Sequence, residues 1–316
     1  MSKPFLLFRA PVETISGYGA HSRDILKSLY NTKLFDIKID SCLWGNTPMT
    51  ALDTENDLFH LWIKNNMITH LDRQPDYYVQ VTVPNEFQTL GKYNIGITAG
   101  VETTMIPKDW ITGCNKMNLI IVPSAFSKSV MLTTQYNDML LTKICTKIDV
   151  IFEGVDTGLY KKLNFNELKD TKIKNYLDGI DADFCFIFVG HWLKGELGQD
   201  RKDVGMLIRK FAEGFNGVDN KPALVLKTSS ANFSVKERER LKRSIKNILY
   251  GIEKPPSVYL VFGTLADDEM NDMYNHPKIK AMVSFTKGEG FGRPLLEFTM
   301  TGKPVLTSNW SGHLDF

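Results

Sequence analysis

The sequence is poor in the features that mark secreted, membrane-spanning or nucleic-acid-binding chains. It has four cysteines in 316 residues, Cys42, Cys114, Cys145 and Cys185, too far apart for the paired spacings of zinc sites or redox dithiols. Buried free thiols in a reducing compartment are the expectation. No run of about 18 apolar residues exists that would span a membrane, and the apolar stretch after Met1, SKPFLLFRAP, is too short for a signal-peptide core. A cytoplasmic location follows, with a peripheral membrane contact left open. Charge of one sign is also missing: the net charge is +2, with 14 Lys+Arg against 15 Asp+Glu in residues 1–155 and 24 against 21 in residues 156–316. Neither half has the basic excess of a nucleic-acid binder. The run Lys236 to Lys246, KERERLKRSIK, is the one local concentration, and its mixed signs at helical spacing read as a solvated helix face. Repeat-array periods are absent, and at 43% hydrophobic and 23% charged the chain is neither disordered nor fibrous.

What is present is an alternation of short β-branched and aromatic runs with longer segments of helical period, the pattern of β-α units and parallel sheets. At roughly 100 to 200 residues per domain the length accommodates two domains facing a cleft. In the first half, strands are predicted at Phe5 to Arg9, Ile37 to Ser41, Tyr77 to Val83, Asn94 to Ala99, Leu119 to Val122 and Lys147 to Ile151. Helices are predicted at Ala20 to Tyr30, Glu55 to Asn66 and Ser124 to Thr134, the last with Ser124 as N-cap. In the second half, strands at Phe184 to Val189, Ala223 to Lys227, Val258 to Val261, Ala281 to Phe285 and Pro304 to Thr307 alternate with helices near Asp203 to Gly214, Val235 to Leu249 and Asp267 to Tyr274. The weakly patterned, Lys-rich stretch from Glu153 to Asp181 separates them. The expected fold is therefore α/β, two Rossmann-like doubly wound domains over residues 1–153 and 154–316.

The most informative segment is Lys287 to Asp315, KGEGFGRPLLEFTMTGKPVLTSNWSGHLD. It follows a predicted strand and runs through glycines into a helix, so it belongs at the carboxyl end of a parallel strand, where open α/β sheets bind ligands. Pro294 suits the first turn of that helix and Gly302 its C′ position. Backbone N–H groups of Gly290, Phe291 and Gly292 would then point out of the helix start as a phosphate site, although glycines also mark plain turns. Glu289 and Glu297, eight apart, flank it. A carboxylate is repelled by phosphate, so both suit sugar or ribose hydroxyls; Glu297 is alternatively a helix N-terminal charge favoured by the dipole.

The string EGFGRPLLE, followed by TGKPVLTSNWSG, resembles the E-x7-E signature of retaining GT-B glycosyltransferases of the "group 1" class, family four. SGYGAHSRDIL from Ser16, LIIVPSAFSKSV from Leu119, FEGVDTGLY from Phe152 and FVGHWLKGELGQDRKDVGMLI from Phe188 resemble, in order, that family's glycine-rich first loop, late acceptor-domain strand, linker opening and first donor-domain strand. The resemblance covers nearly the whole chain. Relatives continue past the equivalent of SGHLD, which implies an incomplete C-terminal domain.

What the resemblance implies is a transferase that takes a sugar from a nucleotide-sugar donor to an acceptor hydroxyl with retention, the N-terminal domain serving the acceptor and the C-terminal domain the donor. The acceptor, whether glycan, lipid or protein, is not implied, and neither a cofactor nor a metal is expected. Lys202 stands at the family's diphosphate-binding lysine, with Lys194 and Lys210 as nearby alternatives, and would neutralise charge on the leaving group. Glu297 would take the ribose hydroxyls and Glu289 would hold the donor sugar near the reacting carbon. Gly17 and Gly19 would let the first loop approach the diphosphate. The chain departs from the family at His191, where an arginine is usual; Arg201, after an apparent insertion from Glu196 to Gln199, would offset that loss. A second departure is VTVPNEF, with Asn85 and Glu86 where many members carry a histidine. His21 and Glu102 remain acceptor-side candidates, each with a plain structural alternative. Asp181-Ala182-Asp183 matches the metal-binding D-x-D of the other main glycosyltransferase class, but it precedes a strand and reads as a surface turn. A non-catalytic scaffold and a sugar-nucleotide epimerase are the alternatives.

Overall fold

A computed structural model describes residues 3–137, 143–169, 171–193, 197–230 and 233–316. The chain forms two compact units. The first comprises Met1–Gly154 with Glu289–Phe291 and Ser311–Asp315; the second comprises Val155–Gly288, Gly292–Trp310 and Phe316. Two short pieces of the second half thus group with the first unit, which no single boundary along the chain expresses.

In the first unit β1 (Phe5–Ala10), β2 (Asp36–Ser41), β3 (Tyr77–Val81), β4 (Tyr93–Ile97), β5 (Leu119–Val122) and β6 (Ile148–Val150) form one sheet in the order β2-β1-β3-β4-β5-β6. All its pairings are parallel. β1 is buried along nearly its whole length, as a strand covered on both faces must be. β3 stops before the expected Val83, because Pro84 has no N–H for the ladder and Pro84–Glu86 turns as a 3-10 segment. Among the described residues the sheet is accompanied by α1 (Gly17–Thr32), α2 (Leu58–Asn65), α3 (Lys108–Cys114) and α4 (Ala125–Thr133). α1 begins earlier than the expected Ala20 because the Ser16 side chain accepts the Gly19 N–H and so caps it. Ser124 caps α4 as expected, accepting from Ser127 N. α3 is absent from the sequence prediction. It packs on the Pro84–Glu86 turn, where a Cβ on Gly113 would overlap the Pro84 carbonyl oxygen and lie 2.6 Å from its carbon.

The second unit carries β7 (Cys185–His191), β8 (Ala223–Ser229), β9 (Val258–Val261), β10 (Ile279–Ser284) and β11 (Val305–Thr307), paired in parallel in the order β11-β10-β7-β8-β9. Its helices are α5 (Lys172–Asp178), α6 (Val204–Gly214), α7 (Val235–Leu249), α8 (Asp267–Asn275) and α9 (Arg293–Thr299). Side-chain alternation divides β7 and β8 between two cores. Cys185, Ile187, Ala223 and Val225 pack with Tyr274, Leu295 and Phe298 on one face; Phe188, Leu224 and Leu226 pack with Leu207, Ile208, Leu241 and Ile245 on the other. Each such Leu or Ile contributes about 1.5–3 kcal/mol of burial, so the sheet is covered on both faces. α5 lies in the Lys-rich stretch that carried no clear pattern; Thr171 caps it by accepting from Lys174 N. The charged run forms α7, whose polar face is solvated except for Glu237, which is buried and accepts from Ser230 N.

All four cysteines are free thiols. Cys114 and Cys185 are buried, and loss of hydration pushes their thiols up to about 12 and about 11. Cys145, however, is exposed and Cys42 half-buried, which corrects the expectation that all are buried. Cys145 lies in the loop before the edge strand β6, where its neighbour Ile144 takes the buried position and its own side chain is left exposed.

Candidate active site

β10 ends at Ser284 and its chain runs through Thr286 to Gly292 into α9. This loop is tied down by backbone bonds. The Arg201 guanidinium donates to Gly288 O at 2.7 Å, and Lys287 N donates to Arg201 O at 2.9 Å. Glu289 N donates to Ser311 Oγ at 3.0 Å and Gly312 N to Glu289 O at 2.9 Å. Gly292 is the left-handed N-cap of α9 at φ 100°, and its carbonyl accepts from Leu295 N and Leu296 N. Pro294 sits in the first turn as expected. Gly302 adopts φ 76° but lies one position beyond the expected C′, because Met300 is the C-cap and Thr301 closes on Phe298 O.

Both carboxylates of the motif are buried, Glu289 at 5% and Glu297 at 7% exposure. Glu297 accepts from Arg293 Nε at 2.8 Å, one helical turn earlier. The first turn of α9 holds no acid, so the alternative of Glu297 as a helix N-terminal charge fails. Tyr274 and Tyr160, with ring centroids 6.2 Å apart, are held in their neutral forms first by burial and then by the charge of Glu297. The Tyr274 hydroxyl is buried without a hydrogen-bond partner. Arg293, Tyr160 and Tyr274 were not found in the sequence; the Arg293-to-Glu297 spacing of a helical ion pair was the one available signal.

A second cluster occupies the carboxyl ends of β7 and β8. Lys202 packs over Gly190, its Cε 3.4 Å from where a Cβ on that glycine would be. His191 is held below the ordinary imidazole value, first by desolvation and then by Lys202, with Lys227 and Arg201 adding to the effect; the Ser229 backbone opposes it. At neutral pH His191 is therefore an uncharged N–H donor, and the positive charge here belongs to Lys202, Arg201 and Lys227. Sequence reading missed Lys227, although a lysine closing the apolar run ALVLK was visible. Lys194 and Glu196 lie outside the described residues.

In the first unit the structure separates two glycines that the sequence treated alike. Gly17 has open space where a side chain would be. At Gly19 a Cβ would overlap the Thr14 carbonyl oxygen and lie 2.6 Å from the Thr14 hydroxyl, so Gly19 is required by the loop's own packing. His21, 6% exposed, places Nδ1 4.0 Å from Glu153 Oε1, a partner from the FEGVD segment that spacing does not reveal. Tyr18 stacks on Trp44 at 4.0 Å and bonds Thr98 Oγ1 and Ala99 N. Burial raises its phenol, and Glu102, half-buried, adds to that. Gly290 groups with this unit: a Cβ there would overlap Ala99 O, while Ser124 Oγ donates to Gly290 O at 2.6 Å. Asn85 and Glu86 are exposed.

Against solved structures, HepE from Anabaena in complex with UDP and glucose is 12% identical with a TM-score of 0.63, over 98% of this chain and 82% of that one. A UDP-forming trehalose-phosphate synthase from Burkholderia xenovorans gives 10% and 0.61, over 98% and 85%. This chain has the GT-B fold. The catalytic domain of Arabidopsis thaliana starch synthase IV, bound to ADP and acarbose, gives 11% and 0.59 over 99% and 84%. No family model matches the sequence. No curated protein matches it either.

Within this GT-B chain the chemistry on offer is plain. The end of β7 and β8 offers cations to a phosphate-bearing ligand, and buried carboxylates after β10 offer acceptors to hydroxyls. Among the described residues no group of three or more His, Cys, Asp or Glu could hold a metal ion. Asp181 and Asp183 are exposed and precede β7, at the end of the sheet opposite the carboxyl ends of the strands, where open α/β sheets bind ligands. No helix among the described residues is long and apolar enough to cross a membrane.

Proposed function

We propose that this chain is a glycosyltransferase that moves a sugar from a nucleotide-sugar donor to an acceptor hydroxyl with retention of configuration. The observation that carries the reading is the pairing, on one GT-B sheet, of a cation cluster around Lys202 at the end of β7 with the buried, Arg293-held Glu297 after β10. Residues 154–316 serve the donor. Lys202 and Arg201 take the diphosphate, with His191 as a neutral donor, and the amides of Gly290, Phe291 and Gly292 add to them. Glu297 takes the ribose hydroxyls, and Glu289 orients the sugar. Residues 1–153 serve the acceptor, with Gly17, His21 and Glu102 as the residues nearest to that task and Gly19 shaping their loop. No cofactor or metal enters this scheme, and the reaction is placed in the cytoplasm, with a peripheral membrane contact where the acceptor is a lipid.

The test is nucleoside diphosphate release from a panel of UDP-, GDP- and ADP-sugars, with and without acceptors. Acceptor-stimulated release from one donor supports the proposal; binding without release from any donor would make the protein a scaffold, and an isomeric donor an epimerase. Calorimetry then addresses Glu297. Glu297→Ala is expected to weaken nucleoside diphosphate binding about 10- to 100-fold, the loss of hydrogen bonds to a charged acceptor. Inorganic pyrophosphate, which has no ribose, should bind both proteins alike. Equal nucleoside diphosphate affinity in the two proteins removes Glu297 from the site.

A further inference from the structure

We propose that Lys227 is a further anion contact of the donor site, sharing the diphosphate with Lys202 and Arg201; this rests on the glycosyltransferase reading above. Lys227 ends the apolar run of β8, a central strand, and its ladder neighbours Val189 and Val261 carry no charge. Its Nζ donates to Gly263 O at 2.6 Å, and among the described residues no carboxylate pairs with it. An ammonium has three donors, so the described residues leave two unmet. A half-buried cation in that state is costly unless a counter-ion arrives.

Lys303 shows what a structural lysine looks like in the same unit. Its Nζ donates to both Tyr274 O and His276 O, satisfying carbonyls at the end of α8. Lys227 has no such duty, because Gly263 follows a strand. Next to it, the Thr228 hydroxyl is buried without a hydrogen-bond partner, opposite Gly190 in the ladder. Lys227 therefore carries unmet donors at the carboxyl end of β8, where α/β sheets meet their ligands, while Thr228 carries an unmet hydroxyl on the opposite face of the strand.

What links Lys227 to the other cations is His191 on β7, which Lys202, Lys227 and Arg201 each lower by their charge. Glu237 on α7 is taken by Ser230 N, and Asp267, the first acid after Gly263, faces the Tyr160 hydroxyl. Desolvation lowers the Lys227 ammonium to about 8. An anion binds the protonated form, so affinity is full below that value and falls as pH rises through it.

The experiment is calorimetry of full-length wild type, Lys227→Met and Lys227→Arg with UDP, GDP, ADP and inorganic pyrophosphate, from pH 7 to 9.5. Lys227→Met is expected to lose about 10- to 100-fold in affinity for pyrophosphate and for the nucleotide bound. Wild-type affinity should decline across the upper half of that range, whereas Lys227→Arg, whose guanidinium keeps its proton, should stay flat. If Lys227→Met shifts only the unfolding temperature and leaves affinity and pH slope unchanged, Lys227 is structural and the proposal is overturned alone. If wild type binds no diphosphate at all, the glycosyltransferase reading falls and takes this inference with it. Should Lys227→Met fail to fold, the wild-type slope against the flat Lys227→Arg profile still decides.

Discussion

Lys202→Ala should lower kcat/KM for the nucleotide-sugar by about 10²- to 10³-fold, the usual cost of losing one preorganised group at a developing charge. As the bond to the diphosphate breaks, negative charge grows on its oxygens, and a cation held close stabilises that charge more than it stabilises the bound donor. Among the described residues the neighbouring cations replace the lost ammonium only in part. Arg201 already gives one N–H to Gly288 O, and His191 is neutral at pH 7 because desolvation and its cationic neighbours disfavour its charged form. The effect should appear mainly in kcat. Steady-state release of nucleoside diphosphate measures it, and a variant within a few-fold of wild type would remove Lys202 from the chemistry. Glu297→Ala offers the contrast, since its loss should appear in donor affinity.

The second large effect concerns stability and separates the two glycines of the first loop. Gly19→Ala places a methyl group on the Thr14 carbonyl, with Pro11 O 3.0 Å away, and both obstacles are backbone. Overpacking against groups that do not move costs about 1–3 kcal/mol or more. For a unit of this size each kcal/mol lowers Tm by about 2–4 °C. Gly17→Ala has the opposite expectation: the space is open and the residue begins α1, where alanine is the better helix former by up to about 1 kcal/mol. Its Tm should hold or rise slightly while turnover falls, because a methyl group there narrows the room left for a ligand. Thermal unfolding and donor turnover of both variants form the test. A stable Gly19→Ala would contradict the packing, and a fully active Gly17→Ala would take Gly17 out of the site.

Helix and strand positions were largely legible from the sequence, and the misses have local causes. β3 was read past Val81 because hydrophobicity continues to Val83, while the ladder ends where Pro84 cannot donate. α3 was missed because seven residues after a proline carry too little period, and the helix forms against the Pro84–Glu86 turn. The candidate site divides similarly. Glu289, Glu297 and the glycines between them stand close together in the chain, so their spacing and the resemblance marked them at once. His21 beside Glu153, Tyr160 near Glu297, and Lys227 with His191 and Lys202 are pairings of residues remote in sequence.

By itself the sequence determined the α/β alternation, the parallel sheets and the location of one ligand-binding loop, because side-chain periodicity and glycine or proline punctuation act over a few residues. Tertiary structure decided which glycine is packed and which is open, that the Glu289–Phe291 segment groups with the first unit, and which cations keep their charge. Those outcomes depend on what surrounds each group and how much water it loses, and both are set only when distant parts of the chain meet.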